Sequence, residues 1–290
     1  MAFHRNALQT DPLNSLRIGC VRYLNARPLI RAWPGDVEFD HPSVLCQRLA
    51  RGELDVALVS SFEFLRNPIY RMVDHVSISS DGPVYSVVVA HRRDIFDIEE
   101  IELDPASQTA VNLLRCLLAE FGLEPRLVQR NTGILPAGTA GVSPAVAESD
   151  SARRAQLLIG DQAIGFRQSH TGEFQFWDLG EQWQKLVDLP FVYALWLIRP
   201  EVRDPKQVAD RLRALRDANL AKLDDLIAEV VAGVADPGHR KLDQQFLVRY
   251  YREHLRFTFE ENEKEGLQSF AKRCAQCDLF PKRDLELDLV

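Results

Sequence analysis

The chain has 290 residues, 46% of them hydrophobic and 27% charged, enough apolar mass for one large globular domain or two small ones. Its formal net charge of −7, from 35 Lys+Arg against 42 Asp+Glu, argues against nucleic acid as the main partner, because phosphate backbones need clustered positive charge. The sequence also lacks an apolar run of about 18 residues, a secretory h-region and an even cysteine count, so no membrane contact and a reduced, cytoplasmic setting are expected.

In chain order, residues 1–15 read as a loose leader. Leu16–Cys20 is a short apolar strand, followed by the turn-like segment Arg22–Pro28, and Val37–Phe39 is a second strand. Pro42-Ser43 opens a helix with apolar positions Val44, Leu45 and Leu49, which Gly52 ends. Leu54–Val59 is a nearly unbroken apolar run, the mark of a strand covered on both faces, and Ser60-Ser61 can cap the short helix after it. Val73–Ser79 and Val84–Ala90 are two more strands, with Asp81-Gly82-Pro83 as the turn between them. Ile101–Leu103 is a strand, 104–109 a turn, and the spacing of Val111, Leu114, Leu117 and Leu118 predicts a helix. Residues 131–152 read as a Gly/Pro/Ala/Ser-rich surface loop. Leu157–Ile159 is a buried strand ending in Gly160-Asp161, Phe191–Ile198 is a return strand, and the remainder from about 205 is helical. This rhythm predicts an α/β protein with two lobes, 16–95 plus 195–290 and 96–194, joined by two crossings that form a hinge. Ligands in such sheets bind beyond the carboxyl ends of the strands.

The segments able to carry chemistry lie at strand ends and turns. Ser107-Gln-Thr109 opens a helix, where unpaired N–H groups and hydroxyls suit a carboxylate, although Ser107 can equally cap its own helix. Ser60, Ser61 and Ser86 offer similar donors from the other lobe, and Asn25 follows the first strand and can both donate and accept. Gly160-Asp161 either brings backbone close to a ligand or is a strand-to-helix turn capped by Asp161. Cys274-Ala-Gln-Cys277 is a lone C-x-x-C without the second pair that a structural zinc site needs, so no metal is expected. No nucleotide-binding motif is present and no cofactor is expected. The basic stretch Arg211–Arg216 reads as a solvated helix face.

Several segments occur in an order that carries more information. They are Tyr23-Leu-Asn25-Ala-Arg-Pro28-Leu29, Gly52-Glu-Leu-Asp-Val-Ala-Leu-Val59 with Ser61, Ser80-Asp-Gly-Pro-Val-Tyr-Ser86-Val87, Leu158-Ile-Gly-Asp161, Asp178-Leu-Gly180 with Trp183, and Leu189-Pro-Phe-Val192. Over about residues 16–280 the chain closely resembles the chorismate dehydratase family of the futalosine route to menaquinone, whose members have the fold of type 2 periplasmic binding proteins. The resemblance implies a cytoplasmic carbon–oxygen lyase. It would remove water from chorismate to give 3-[(1-carboxyvinyl)oxy]benzoate, with no cofactor. It assigns Asn25 and Ser86 to the reacting region, and Ser60, Ser61, Ser107, Thr109, Gly160 and Asp161 to substrate binding. Its partners would be a small molecule and, at most, a second copy in a homodimer. Ala110 stands where the family usually has a hydroxylated residue, and Tyr85 where it often has Arg or Gly. The alternatives are a non-catalytic carboxylate receptor or sensor on the same fold, and the sister enzyme dihydroxynaphthoate synthase, which uses a histidine base in the second lobe.

Overall fold

A computed structural model describes residues 12–104, 107–130, 152–233 and 242–290. Most of the expected leader, the tip of the turn at 105–106 and nearly all of the expected 131–152 loop therefore lie outside the described residues. The leader's last part does not hang free, because Leu13, in a 3₁₀ turn over Pro12–Ser15, is buried in the core.

Among the described residues ten strands form two five-stranded sheets with the same layout. The first contains β1 (Ile18–Cys20), β2 (Val37–Phe39), β3 (Val56–Ser60), β4 (Arg71–Ser80) and β10 (Phe191–Ile198), in the order β2-β1-β3-β10-β4. The second contains β5 (Val87–His91), β6 (Glu100–Leu103), β7 (Arg126–Gln129), β8 (Arg154–Ile159) and β9 (Gln175–Asp178), in the order β7-β6-β8-β5-β9. β1 runs parallel to β2 and β3, and β6 parallel to β7 and β8. In each sheet the fourth strand is antiparallel to both neighbours, and it is the first strand reached after the chain arrives from the other lobe. β3, β5 and most of β10 are buried along their length, as unbroken apolar runs require.

Sheet membership moves the lobe crossings. Val87–His91, expected in the first lobe, belongs to the second sheet, and the whole of Phe191–Ile198 belongs to the first. The chain crosses at 81–86 and again at 188–190, rather than near 95 and 194. Asp81-Gly82-Pro83 thus begins a passage between sheets and does not close a hairpin. Alternation marks a strand but not its partner, and Val87–His91 is apolar enough to fit either sheet.

Helices cover the sheets. They are α1 (Arg27–Ile30), α2 (Pro42–Ala50), α3 (Ser61–Arg66), α4 (Gln108–Glu120), α5 (Gly160–Ser169), α6 (Leu179–Val187), α7 (Pro205–Ala221), α8 (Leu223–Val231), α9 (Gln244–Arg249) and α10 (Glu261–Gln276). One apolar core runs through both lobes, because α4 of the second lobe packs against α3 and α10 of the first. At that contact Cys274, from the lone C-x-x-C, sits with its sulfur 3.6 Å from that of Cys116 on α4. No helix among the described residues is long and apolar enough to cross a membrane.

Both crossings are held backbone to backbone. A Cβ on Gly180, at the start of α6, would lie 2.6 Å from the Gly82 carbonyl oxygen of the first crossing. A Cβ on Gly266 of α10 would collide with the Pro190 carbonyl of the second. Only glycine allows these approaches.

Candidate active site

The carboxyl ends of the parallel strands of both sheets face one another, and the loops that leave them meet in a cleft. β1 leads to a 3₁₀ turn (Leu24–Ala26) that carries Asn25, β3 ends at Ser60, β6 leads to Ser107, and β8 leads to Gly160. Ser86 closes the ring from the first crossing, one residue before β5. All five residues line one cavity, together with Tyr23, Tyr193 and apolar side chains of both lobes. In this closed arrangement its free volume is about 70 Å³. Ligand pockets commonly reach about 300–1,000 Å³, so a guest needs the lobes to part. A larger groove of about 430 Å³, beside Arg27, Trp33, Phe39 and Glu229, adjoins the cleft at Val21, but it draws its lining from the first lobe alone.

Two polar groups on the cavity are left incomplete. Asn25 Oδ1 is buried with no hydrogen-bond partner. Ser86 is fully buried, and its Oγ accepts a hydrogen bond of 2.8 Å from the Tyr250 phenol. Tyr250 donates from behind the cavity. Burial drives its pKa well above the ordinary phenol value, with Asp161 and Asp178 adding to the effect, so it keeps its proton. Burial likewise pushes the Tyr23 phenol up to about 12, aided by the carboxylates of Asp104 and Asp161.

The segment that presents Ser86 is fixed by Asp178. Its side chain caps α6 by accepting from the N–H groups of Gly180 and Glu181, and it reaches across to accept from Val84 N (3.0 Å) and Tyr85 N (2.7 Å). Burial pushes this carboxyl up, opposed by the backbone donors and by Arg167, 3.6 Å away. Arg167 also donates to the Tyr85 carbonyl (3.0 Å), and its guanidinium lies 3.8 Å from the centre of the Tyr85 ring. Tyr85 adopts φ +68°, a left-handed conformation that suits glycine better than a bulky side chain.

Other expected site residues are engaged elsewhere. Ser107 accepts from Ala110 N (3.1 Å), so it caps its own helix while also lining the cavity. Ser60 makes no side-chain cap to α3. Its Oγ instead accepts from Thr109 N (3.1 Å) and bonds Thr109 Oγ1. Ser61 and Thr109 do not line the cavity. Ser61 donates to the Val192 carbonyl (2.7 Å), and Thr109 Oγ1 also accepts from Phe62 N (3.2 Å). These contacts stitch α4 of the second lobe to the start of α3 in the first. Asp161 neither caps α5 nor reaches the cavity; its carboxylate crosses the cleft to accept from Leu24 N (3.0 Å). Gly160 does line the cavity, where its N–H donates to the Ser86 carbonyl (2.8 Å). Among the described residues no three His, Cys, Asp or Glu side chains gather to hold a metal ion.

Residues 16–276 match the profile of a family described as menaquinone biosynthesis. The chain belongs to that menaquinone biosynthesis family. Its curated relatives include the chorismate dehydratase of Thermus thermophilus, 30% identical over 274 residues that span 88% of this chain and 93% of the relative. The family fold is that of the periplasmic binding proteins. Protein AF1704 from Archaeoglobus fulgidus superimposes with a TM-score of 0.66 at 17% identity, over 91% of this chain and 98% of its own. A Candida albicans protein described as having the generic periplasmic binding protein fold gives 0.57 at 11% identity, over 93% and 92%. At such identities the likeness is one of fold alone.

Proposed function

We propose that the protein is a chorismate dehydratase that converts chorismate to 3-[(1-carboxyvinyl)oxy]benzoate. The reading is supported by family membership, by the named relative, and above all by one feature of the cleft: Asn25 and Ser86 line the same cavity, and Asn25 Oδ1 has no partner there. Helices α4 and α5 also begin at this cavity, and their N-terminal partial charges suit the two carboxylates of the guest.

In the proposed reaction the C3–H bond breaks, and its electron pair becomes the third double bond of the ring. The C4–O bond breaks at the same edge, and the departing oxygen leaves with a proton as water. Aromatisation supplies the driving force, so the protein orients the substrate and supports charge on the leaving oxygen. The substrate's own enolpyruvyl carboxylate takes the C3 proton and passes it to the departing oxygen, while Asn25 and Ser86 hold the C4 hydroxyl at the reacting edge. Ser60, Ser107 and the backbone at Gly160 face the carboxylates. Thr109 and Ser61 join them once the lobes part and the seam between α3 and α4 opens.

The test is direct. Purified protein is mixed with chorismate, and the product is followed by ultraviolet absorbance and mass. Formation of the enolpyruvyl benzoate supports the reading, whereas binding of chorismate without turnover would make the protein a receptor or sensor.

A further inference from the structure

Ser86 and Asn25 stand on separate segments, yet one short stretch of chain lies behind both. α9 widens into a π-helical turn over Tyr250–His254, where Leu255 N–H reaches back to the Tyr250 carbonyl at 3.2 Å. Such turns are uncommon and recur at functional sites. Two consecutive tyrosines in it are almost wholly buried. Tyr250 Oη donates to Ser86 Oγ, and Tyr251 Oη donates to the carbonyl of Leu24, the neighbour of Asn25, each at 2.8 Å.

We infer that Tyr250 is a positioning residue for the proposed reaction, whose phenol makes the Ser86 hydroxyl a donor towards the guest. Among the described residues the buried phenol has one hydrogen-bond partner, Ser86 Oγ, and a buried O–H left without an acceptor is costly. The phenol therefore gives its hydrogen to Ser86, and a lone pair of Ser86 Oγ is taken. The Ser86 hydrogen must point elsewhere. No acceptor among the described residues receives it, and Ser86 lines the cavity. The cavity thus holds a donor that lacks an acceptor, Ser86, and an acceptor that lacks a donor, Asn25 Oδ1. A hydroxyl is the smallest group that satisfies both, since it accepts from one and donates to the other. On the dehydratase reading, on which this inference rests, that group is the C4 hydroxyl. As the C4–O bond breaks, the Ser86 hydrogen bond to the departing oxygen strengthens. Tyr250 transfers no proton and keeps its own, as its raised pKa requires.

The experiment compares chorismate turnover by the wild type, Tyr250→Phe, Ser86→Ala and the double variant. Tyr250→Phe is expected to lower kcat about tenfold with KM unchanged, and to have no further effect once Ser86 is alanine. A wild-type kcat in Tyr250→Phe, or an equal loss in both backgrounds, overturns the inference, because packing alone does not require Ser86. Should Tyr250→Phe fail to fold, 3-fluorotyrosine at 250 keeps the shape and strengthens the donor. A change in kcat then supports the inference, and an unchanged kcat overturns it. Absence of product with the wild type rejects the dehydratase reading and the inference with it. Product with the wild type but indifference at position 250 rejects the inference alone.

Discussion

Two corners of the cleft are built from the same kinds of side chain and end in opposite states. At one, Ser60, Ser61 and Thr109 satisfy one another and nearby backbone, so the hydroxyls knit the lobes together. At the other, Asn25 keeps an unpartnered carbonyl oxygen and Ser86 is held from behind with its own hydrogen free. The first corner stabilises the closed arrangement, and the second carries an unmet polar demand. Unsatisfied buried polar groups in an otherwise well-paired structure are where function is found at a cost in stability.

The most severe way to break the contrast is to remove the incomplete corner. Ser86→Ala or Asn25→Ala is expected to lower chorismate turnover about a hundredfold or more. The melting temperature of Asn25→Ala should not fall, because the buried Oδ1 has no bond to lose; a large drop would mean that Asn25 is structural. Next, Asp178→Asn exchanges an acceptor for a donor beneath the segment that presents Ser86. It should cost about 2 kcal/mol in denaturant unfolding and lower kcat, since hydrogen bonds to a charged group are lost. Thr109→Val keeps the shape but unpicks the seam. It should cost about 1 kcal/mol and alter KM more than kcat, and an effect on kcat as large as that of Ser86→Ala would erase the distinction between the corners.

The mildest probe leaves both corners intact. His91, buried in β5, has its pKa lowered by burial, opposed by the Arg93 carbonyl. A lowered folded pKa means that the neutral ring stabilises the fold above the ordinary value of about 6.5, and that this stability is lost as pH falls through the folded value. Unfolding measured from pH 7 to 5 should show that loss, and His91→Gln should reduce it.

Much of this was legible in the sequence. The expected β2 matches to the residue and β3 to within two, the latter because a continuous apolar run bounded by turn residues leaves few alternatives. Asn25, Ser86 and Gly160 stand in the ordered motifs and Ser60 and Ser107 at helix starts, and all five line one cavity, whereas Ser61, Thr109 and Asp161, expected beside them, do not. Sheet membership was not legible, since an apolar strand such as β5 does not encode which sheet it joins. Nor was the π-helical turn, although adjacent buried tyrosines in a helical stretch were a signal that could have been weighed. Asp178 falls within one of the ordered motifs, but its grip on Tyr85 depends on a contact across 93 positions. Arg216, expected on a solvated face, is buried and donates to the Phe257 carbonyl, because α7 lies against β4.

The glycine contacts at the two crossings have one more consequence. Gly180 against Gly82 and Gly266 against Pro190 pin both strands of the connection, and Ser80 pairs with Phe191 beside them. The molecule therefore has a spine on one side, and its jaws can swing only about that line. A guest must come in through the opposite mouth, where the Ser60–Thr109 and Leu24–Asp161 contacts hold the two lobes together.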